Sequence, residues 1–168
     1  RTAATRRSSA LADELTGDML VGHIHSTEND VTLNSGARIL DADGTPSVDV
    51  SGVNITLNSG VVTGETPAPS AGGVGQFNDY LEINVDRNNA NTGVLRAFDM
   101  APVADTFGIF LDEMAGAMRI HTVQTARDVS LRTVAGSIID RKAGDDANVL
   151  GQTIDIDWLT KFLGENGY

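Results

Sequence analysis

Two stretches of this chain carry nearly the same phrase, and that phrase decides how the fold is interpreted. The first is DVTLNSGARILD, residues 30–41, and the second is DVSLRTVAGSIID, residues 128–140. Each begins Asp-Val-hydroxyl-Leu, continues through small or polar residues, and reaches an isoleucine-containing apolar pair followed by Asp. The alternation at Val31 and Leu33, and again at Val129 and Leu131, is typical of a β-strand with one buried face.

The similarity extends well beyond this phrase. Sliding the chain against itself by roughly 99 residues places LADELTGDM, from Leu11, on FLDEMAGAM, from Phe110. After a slip of one residue, Asp30, Val31, Leu33 and Ala37 match Asp128, Val129, Leu131 and Ala135. The first offset then returns, with Ile39, Asp41, Val50, Gly52 and Ile55 on Ile138, Asp140, Val149, Gly151 and Ile154. The chain therefore contains one full unit and more than half of the next.

Short strands joined by polar turns are predicted along most of the chain. The runs SVDVSG, VNITLNSG, YLEINVD, GIFLDE, MRIHTV and TIDID alternate apolar and polar residues, and turn formers such as NSG, DADG and RNNANTG separate them. Helical periodicity is confined to SSALADEL, residues 8–15, and DWLTKFLGENGY, residues 157–168. We therefore predict an all-β protein with short helical or irregular ends.

The strand spacing favours a right-handed parallel β-helix. Three strands of this length would form a turn of roughly 20 to 30 residues, with Val, Ile and Leu inside and Gly, Asn and Asp at the corners. The alternative is a series of tandem β-sandwich repeats, which would explain the unit length more directly. Aromatic residues make up only 5% of the chain, too few for a typical sandwich core.

The predicted organisation has three parts. Residues 1–12 form an N-terminal arm or cap, residues 13–157 the repetitive β-solenoid, and residues 158–168 an amphipathic C-terminal tail or cap. Within the solenoid the two copies cover residues 13–111 and 112–157, with a long Gly- and Pro-rich loop at residues 59–79. We interpret RTAATRRSSA at the start as a cut edge, since it lacks the apolar region of a signal peptide.

The composition argues against several classes of function. The net charge of −11 disfavours nucleic acid as a partner. The chain has no cysteine, so a disulfide framework and a thiolate metal site are excluded. No apolar run approaches the length that crosses a bilayer, so membrane insertion is not expected.

The phrase at residues 128–156, DVSLRTVAGSIIDRKAGDDANVLGQTIDI, resembles the repeats of giant secreted bacterial proteins, the filamentous-haemagglutinin-like and LEPR-XLL-type adhesins. The matching positions are Asp128, Val129, Ser130, Leu131, Gly136, Ser137, Ile138 and Asp140. GGVGQFNDYLEINVDR, from Gly72, is similar to a second phrase of such repeats. The resemblance covers most of residues 13–157 and implies an extracellular right-handed β-helix used as a stalk or adhesive surface, with no catalytic residues to transfer. The first copy departs from the pattern at Arg38 and Ile39, and the tail after Asp157 does not match it.

Three groups of residues are candidate metal sites. DADG, Asp41–Gly44, has the alternate carboxylates that begin a calcium loop, but the further oxygen ligands are missing. In the second copy Asp140 replaces Asp41 while Lys142 replaces Asp43, so a solvated turn is favoured over calcium. The same holds for AGDDAN, residues 143–148. His23 and His25 share one strand face, and His121 lies one position out of register in the second copy, so a zinc site is disfavoured.

The acidic pairs do not predict catalysis. Asp112 and Glu113 are adjacent on a strand and should point to opposite faces, while DE recurs at Asp13 and Glu14 as part of the repeat. Asp86 and Arg87 form a similar pair without a placed nucleophile. No catalytic, cofactor-binding or metal residue is predicted. The expected function is a structural or adhesive, filament-forming segment of a large extracellular surface protein, which associates end to end or binds surface glycans. The alternative is a polysaccharide lyase or hydrolase built on a β-helix.

Overall fold

A computed structural model describes residues 9–61, 71–102, 104–144 and 146–158, with residue 158 described by its backbone only. The described residues form strands, turns and bends, with no helix among them. The strands are β1 (Ala10–Glu14), β2 (Met19–Val21), β3 (Ile24–His25), β4 (Val31–Ser35), β5 (Ile39–Asp41), β6 (Val50–Ser51), β7 (Ile55–Ser59), β8 (Gly72–Val74), β9 (Leu81–Asn84), β10 (Leu95–Asp99), β11 (Thr106–Glu113), β12 (Met118–Gln124), β13 (Val129–Thr133), β14 (Ile138–Asp140), β15 (Val149–Leu150) and β16 (Ile154–Trp158).

The strands lie in two sheets. A seven-stranded sheet has the order β1-β4-β7-β10-β12-β14, with β15 also beside β12. A nine-stranded sheet has the order β2-β5-β8-β11-β9-β6-β3, with β13 beside β11 and β16 beside β13. Every strand pair within the described ranges is parallel. The prediction of an all-β chain is thus confirmed, and the parallel pairing does not fit tandem sandwiches, whose sheets are antiparallel.

The two copies of the repeat use the same pairings in the same register. In the first copy Val31 of β4 pairs with Ala10 and Ile55, and in the second copy Val129 of β13 pairs with Ile109 and Ile154. The Met19–Ile39 and Ile24–Val50 pairs recur in the same way as Met118–Ile138 and Val123–Val149.

The copies nevertheless occupy opposite sheets. Strands β1, β4 and β7 lie in the seven-stranded sheet, whereas their counterparts β11, β13 and β16 lie in the nine-stranded sheet. Strands β2, β5, β3 and β6 lie in the nine-stranded sheet, whereas β12, β14 and β15 lie in the seven-stranded one. The repeated sequence therefore determines how neighbouring strands pair, and the same pairing forms in either sheet.

A single apolar core lies on the inward faces of both sheets. Along β4 and β7 the burial alternates, with Val31, Leu33, Ile55 and Leu57 fully buried. Burying such a side chain contributes roughly 1.5–3 kcal/mol. The alternation weakens at the last strand, β16, where Ile154 and Ile156 are 46% and 51% exposed, because β16 has β13 as its only partner strand among the described residues.

Residues 8–15 were predicted to be helical, and this prediction is wrong. Residues 10–14 form strand β1, in which Ala10 and Ala12 pack against the core. The backbone N–H of Ala10 donates to the carbonyl of Asp30 at 2.9 Å. Pairing with β4 thus supplies the partners that a helix would have supplied internally, and tertiary contacts override the local preference. The predicted arm or cap at 1–12 accordingly includes the first part of β1.

Two other predicted segments differ from expectation or cannot be compared. The long loop predicted at residues 59–79 contains strand β8, which pairs with β5 and β11. The helical pattern at residues 157–168 falls almost entirely outside the described residues, which end with β16. No helix in the described part of the chain is long and apolar enough to cross a membrane.

Candidate functional site

A row of charged side chains runs across the nine-stranded sheet, one from each neighbouring strand. Glu82 pairs with Asp112, Asp112 with Arg132, and Arg132 with Asp157. Asp49, which immediately precedes β6, extends the row, because its N–H donates to the carbonyl of Glu82 at 2.9 Å. The neighbours of these residues, such as Ile83 and Leu111, point into the core, so the charged side chains lie on the opposite face.

This outward face is covered at its centre. Asp49 is fully buried, and Glu82 and Asp112 are only 8% and 6% exposed. The turn between β5 and β6 lies close by: a Cβ at Gly44 would be 3.7 Å from Oδ1 of Asp79, in the turn before β9. Gly44 has φ of +64°, a conformation that glycine adopts without strain. The DADG stretch therefore approaches the turn that precedes β9.

Asp41 joins the row from the end of β5. One carboxylate oxygen from each of Asp41, Asp49 and Glu82 lies within 4.8 Å of the other two, and all three residues are buried. Oδ1 of Asp41 accepts the N–H of Asp43 at 2.8 Å, and Oδ2 of Asp49 accepts the N–H of Glu82 at 3.2 Å. Backbone hydrogen bonds thus orient two of the three carboxylates. We call these three residues the carboxylate cluster.

Each carboxylate of the cluster keeps one buried oxygen without a donor. Oδ2 of Asp41, Oδ1 of Asp49 and Oε2 of Glu82 are inaccessible, and no donor of the described residues reaches them. Burial, followed by the hydrogen-bonding contact and charge of Asp49, raises the pKa of Glu82 to about 8. Burial also raises the pKa of Asp49 to about 6, against the opposing effect of the Glu82 N–H. A proton shared by these two groups would supply the missing donor.

Farther along the row, Asp112 has a complete ionic partner. Arg132 donates from Nε and NH2 to its two oxygens, each at 2.6 Å. The guanidinium also stacks on Tyr80, with Cζ 3.4 Å from the ring centroid, and the Tyr80 hydroxyl donates to Ser130 at 2.8 Å. An arginine held by two hydrogen bonds and stacked on a ring is rigid, and its positive charge is largely compensated by Asp112.

The structure brings together only some of the residues that the sequence singled out. Asp41 is buried, so the prediction of a solvated turn is wrong there, although it describes the exposed Asp43. In the AGDDAN stretch, Asn148 donates to Oδ1 of Asp140 at 2.7 Å. Residue 145 of that stretch lies outside the described residues.

The histidines form no three-ligand group. His23 and His25 stack with centroids 5.7 Å apart, beside β6 of the nine-stranded sheet. His121 lies on β12 of the other sheet and contacts Thr122. Among the described residues, the carboxylate cluster is the only group of three histidine or acidic side chains close enough to hold a metal ion together.

Asp112 and Glu113 lie on opposite faces of β11, as predicted. Asp112 points outward, whereas Glu113 is buried on the inward face and accepts the N–H groups of Val85 and Ala115 at 3.0 and 3.1 Å. Asp86 accepts three backbone N–H groups of its own loop, residues 91–93, and contacts Arg119 at 3.5 Å. These contacts show that both carboxylates hold backbone N–H groups in place.

Sequence reasoning missed Asp49 and Glu82 as members of a site. The alternation in YLEINVD puts Glu82 on the face opposite Leu81 and Ile83, but nothing in the sequence gives the register that pairs it with Asp49. The register follows from the length of the segment between β6 and β9, where the two copies cannot be compared. One sequence signal could have identified Asp49 as a candidate: the equivalent position of the second copy holds Asn148, although the valine that follows is the same in both copies.

No protein-family model, no curated protein and no solved structure matches the chain.

Proposed function

We propose that the chain is a segment of a right-handed parallel β-solenoid that serves as a structural or adhesive stalk in a large extracellular, repetitive surface protein. The observation that carries the proposal is the recurrence of one pairing pattern in both copies, in the same register but in opposite sheets. A unit that pairs only with its neighbours in the stack, in whichever sheet it falls, suits repeated extension of a scaffold. The right hand follows from the strong preference of parallel crossovers.

The stacked arrangement explains how such a segment would bear load. Parallel partners follow one another at 20 to 40 residues along the chain, as in the Asn34–Asn58 pair, 24 residues apart. Backbone hydrogen bonds therefore run along the stack while the inward Val, Leu and Ile residues form a continuous column. The resemblance to giant adhesin repeats agrees with this arrangement, and the acidic exterior keeps it soluble.

The last strand supports a role in end-to-end association. Ile154 and Ile156 are the counterparts of Ile55 and Leu57, which are fully buried in the first copy. In β16 the same two positions are about half exposed. No other described strand pairs with the far edge of β16, and an apolar strand with such an edge is a template for pairing with another segment, either the next repeat of a longer chain or a second copy of this one.

The test measures shape and association together. Small-angle scattering should show an elongated particle, and sedimentation should show association that rises with concentration. Ile156→Lys should abolish the association, whereas Met100→Lys, which changes a residue that is 57% exposed outside the strands, should not. A compact monomer at all concentrations would contradict the proposal.

The charged row favours one second candidate, a polysaccharide-cleaving enzyme. Clustered carboxylates beside an arginine, with a carboxyl whose pKa is raised to about 8, are the groups that acid–base cleavage of glycans needs. Burial of Asp49, Glu82 and Asp112 argues against access of a polymer. Incubation with acidic and neutral polysaccharides decides between the candidates: turnover that is lost in Asp112→Asn would favour the enzyme, and no cleavage would remove it.

A further inference from the structure

The carboxylate cluster poses an electrostatic problem that its own surroundings do not solve. Three carboxyl groups lie within 4.8 Å of one another with exposures of 8%, 0% and 8%. Buried charges of like sign repel strongly and lose hydration, so they persist only with a proton or a cation. Arg132, the guanidinium nearest in the row, is held by both oxygens of Asp112 at 2.6 Å.

A second observation points to a ligand. Each of the three side chains keeps a fully inaccessible oxygen that no donor of the described residues reaches, although the other oxygens of Asp41 and Asp49 are fixed by backbone N–H groups. Buried acceptors are almost always paired. A cation bound among three carboxylates that lie within 4.8 Å of one another would give such unpaired acceptors a partner.

The chemistry of the donors limits the cation. All three ligand groups are carboxylates, without a histidine or thiolate in the set. Oxygen-only sites prefer hard cations, and calcium and magnesium complete their coordination with backbone carbonyls or water. We propose that Asp41, Asp49 and Glu82 bind one hard divalent cation, of the calcium or magnesium class, which ties the β5–β6 turn to strand β9.

The second copy of the repeat shows what the same corner does without such a ligand. The position of Asp49 is occupied there by Asn148, whose Nδ2 donates to Asp140, the counterpart of Asp41, at 2.7 Å. Lys142 replaces Asp43, and its Nζ donates to the carbonyl of Ala147 at 3.1 Å. In the second copy an amide therefore donates to the corner aspartate, and a lysine stands where the first copy has a further carboxylate. The inference does not depend on the proposed stalk function.

The experiment uses the whole chain, stripped with a chelator and dialysed at pH 7 and constant ionic strength. Titration calorimetry with calcium chloride and with magnesium chloride should show one site per chain for at least one cation. The melting temperature should rise by several degrees when that cation is present at a hundredfold excess over its Kd. Asp49→Asn, which installs the residue of the second copy, should weaken binding by roughly tenfold or more.

Matched variants distinguish this site from general attraction of cations to an acidic surface. Asp140→Asn alters the equivalent corner and should leave the stoichiometry and Kd unchanged. Glu82→Gln should weaken binding as Asp49→Asn does, and it provides a second test if one variant folds poorly. Unchanged melting of the wild type in calcium, magnesium and chelator would overturn the inference and leave a proton shared between Asp49 and Glu82. Full one-to-one binding by both variants would also overturn it.

Discussion

Asp41 and Asp140 end equivalent strands of the two copies, at turns that we call the first and the second corner. The two aspartates make the same backbone hydrogen bond, but their carboxylates have different side-chain partners. In each, the aspartate accepts the N–H of the residue two positions on, Asp43 or Lys142, at 2.8 Å. The following strand then brings Asp49 to the first corner and Asn148 to the second. Asn148 donates to its aspartate, whereas ionised Asp49 has nothing to donate. The backbone of the turn is therefore the same in both copies, whereas the group that compensates the aspartate's charge differs.

The outward ladders of the two copies differ in the same manner. In the first copy Asn34 donates to Asp13 and accepts from Asn58, both at 2.7 Å. At the equivalent positions of the second copy Arg132 binds Asp112, and Asp157 follows. A ladder built on amide hydrogen bonds in the seven-stranded sheet thus corresponds, in the nine-stranded sheet next to Glu82, to one built on an ion pair. The inward positions of β4 and β13, by contrast, carry the same residues, with Val31 matched by Val129 and Leu33 by Leu131.

The largest expected effect tests the claim that inward positions are equivalent. Leu33→Ala and Leu131→Ala each remove a fully buried side chain at matching positions. We expect each to lower the free energy of unfolding by about 2–5 kcal/mol, from lost burial and the cavity left behind. Urea unfolding measures both, with Leu20→Ala, at a residue 66% exposed, as a control near zero. A tolerated change at Leu131 would show that the second copy is not packed like the first.

Glu113 and its counterpart Glu14 occupy equivalent positions of the two copies and differ mainly in burial. Each accepts the N–H of the residue two positions on, at 3.1 Å for Glu113 and 3.2 Å for Glu14, but Glu113 is fully buried. Burial raises the pKa of Glu113 from 4.5 to about 8, against the lowering effect of the Val85 and Ala115 N–H groups.

The sign of the pH dependence follows from that shift. Between about pH 4.5 and 8 the folded chain holds a proton that the unfolded chain has lost, so stability falls as the pH rises through this window. The loss amounts to a few kcal/mol, and Glu113→Gln should flatten it. Asp49 and Glu82 act in the same direction, so some slope remains. Urea midpoints from pH 5 to 9 test this, and Glu14→Gln should retain the slope of the wild type; parallel curves for all three proteins would refute the assignment.

The two ladders should differ in cost when their middle residue is removed. Arg132→Ala leaves Asp112, only 6% exposed, without its partner. We expect a loss of roughly 2–3 kcal/mol, below the cost for a fully buried pair because Arg132 itself is partly exposed. Asn34→Ala should cost about 1 kcal/mol. Adding Asp112→Asn to Arg132→Ala should recover part of the loss, and equal costs for the two single variants would mean that the ionic ladder carries no extra penalty.

The fold was more predictable than the site, for a physical reason. Alternation at Val31 and Leu33 reports the burial of one strand face, which is a local property, and the structure confirms it. The strand at residues 10–14 was missed because its pairing with β4 outweighs a local helical preference. The cluster was missed because Glu82 reaches Asp49 only through the register of strands separated by a segment without a counterpart in the second copy.

The smallest effect tests the comparison of corners most directly. Asn148→Asp places two carboxylates at the second corner, as in the first, but without a counterpart of Glu82 and with Lys142 nearby. Loss of the 2.7 Å hydrogen bond to Asp140 and the added repulsion should cost about 1 kcal/mol, since the pair is exposed. The reciprocal Asp49→Asn, measured in chelator, should be neutral or stabilising, because an amide then supplies a donor to the buried oxygens. The free energy of unfolding, read from urea midpoints at pH 7, should fall for Asn148→Asp and stay equal or rise for Asp49→Asn. That result would show that the asparagine amide can replace the proton or cation that neutralises the carboxylates at Asp41. If Asp49→Asn were instead as costly in chelator as Asn148→Asp, a proton shared between Asp49 and Glu82 would be what stabilises the first corner. The two corners would then resemble each other in their backbone hydrogen bonds only.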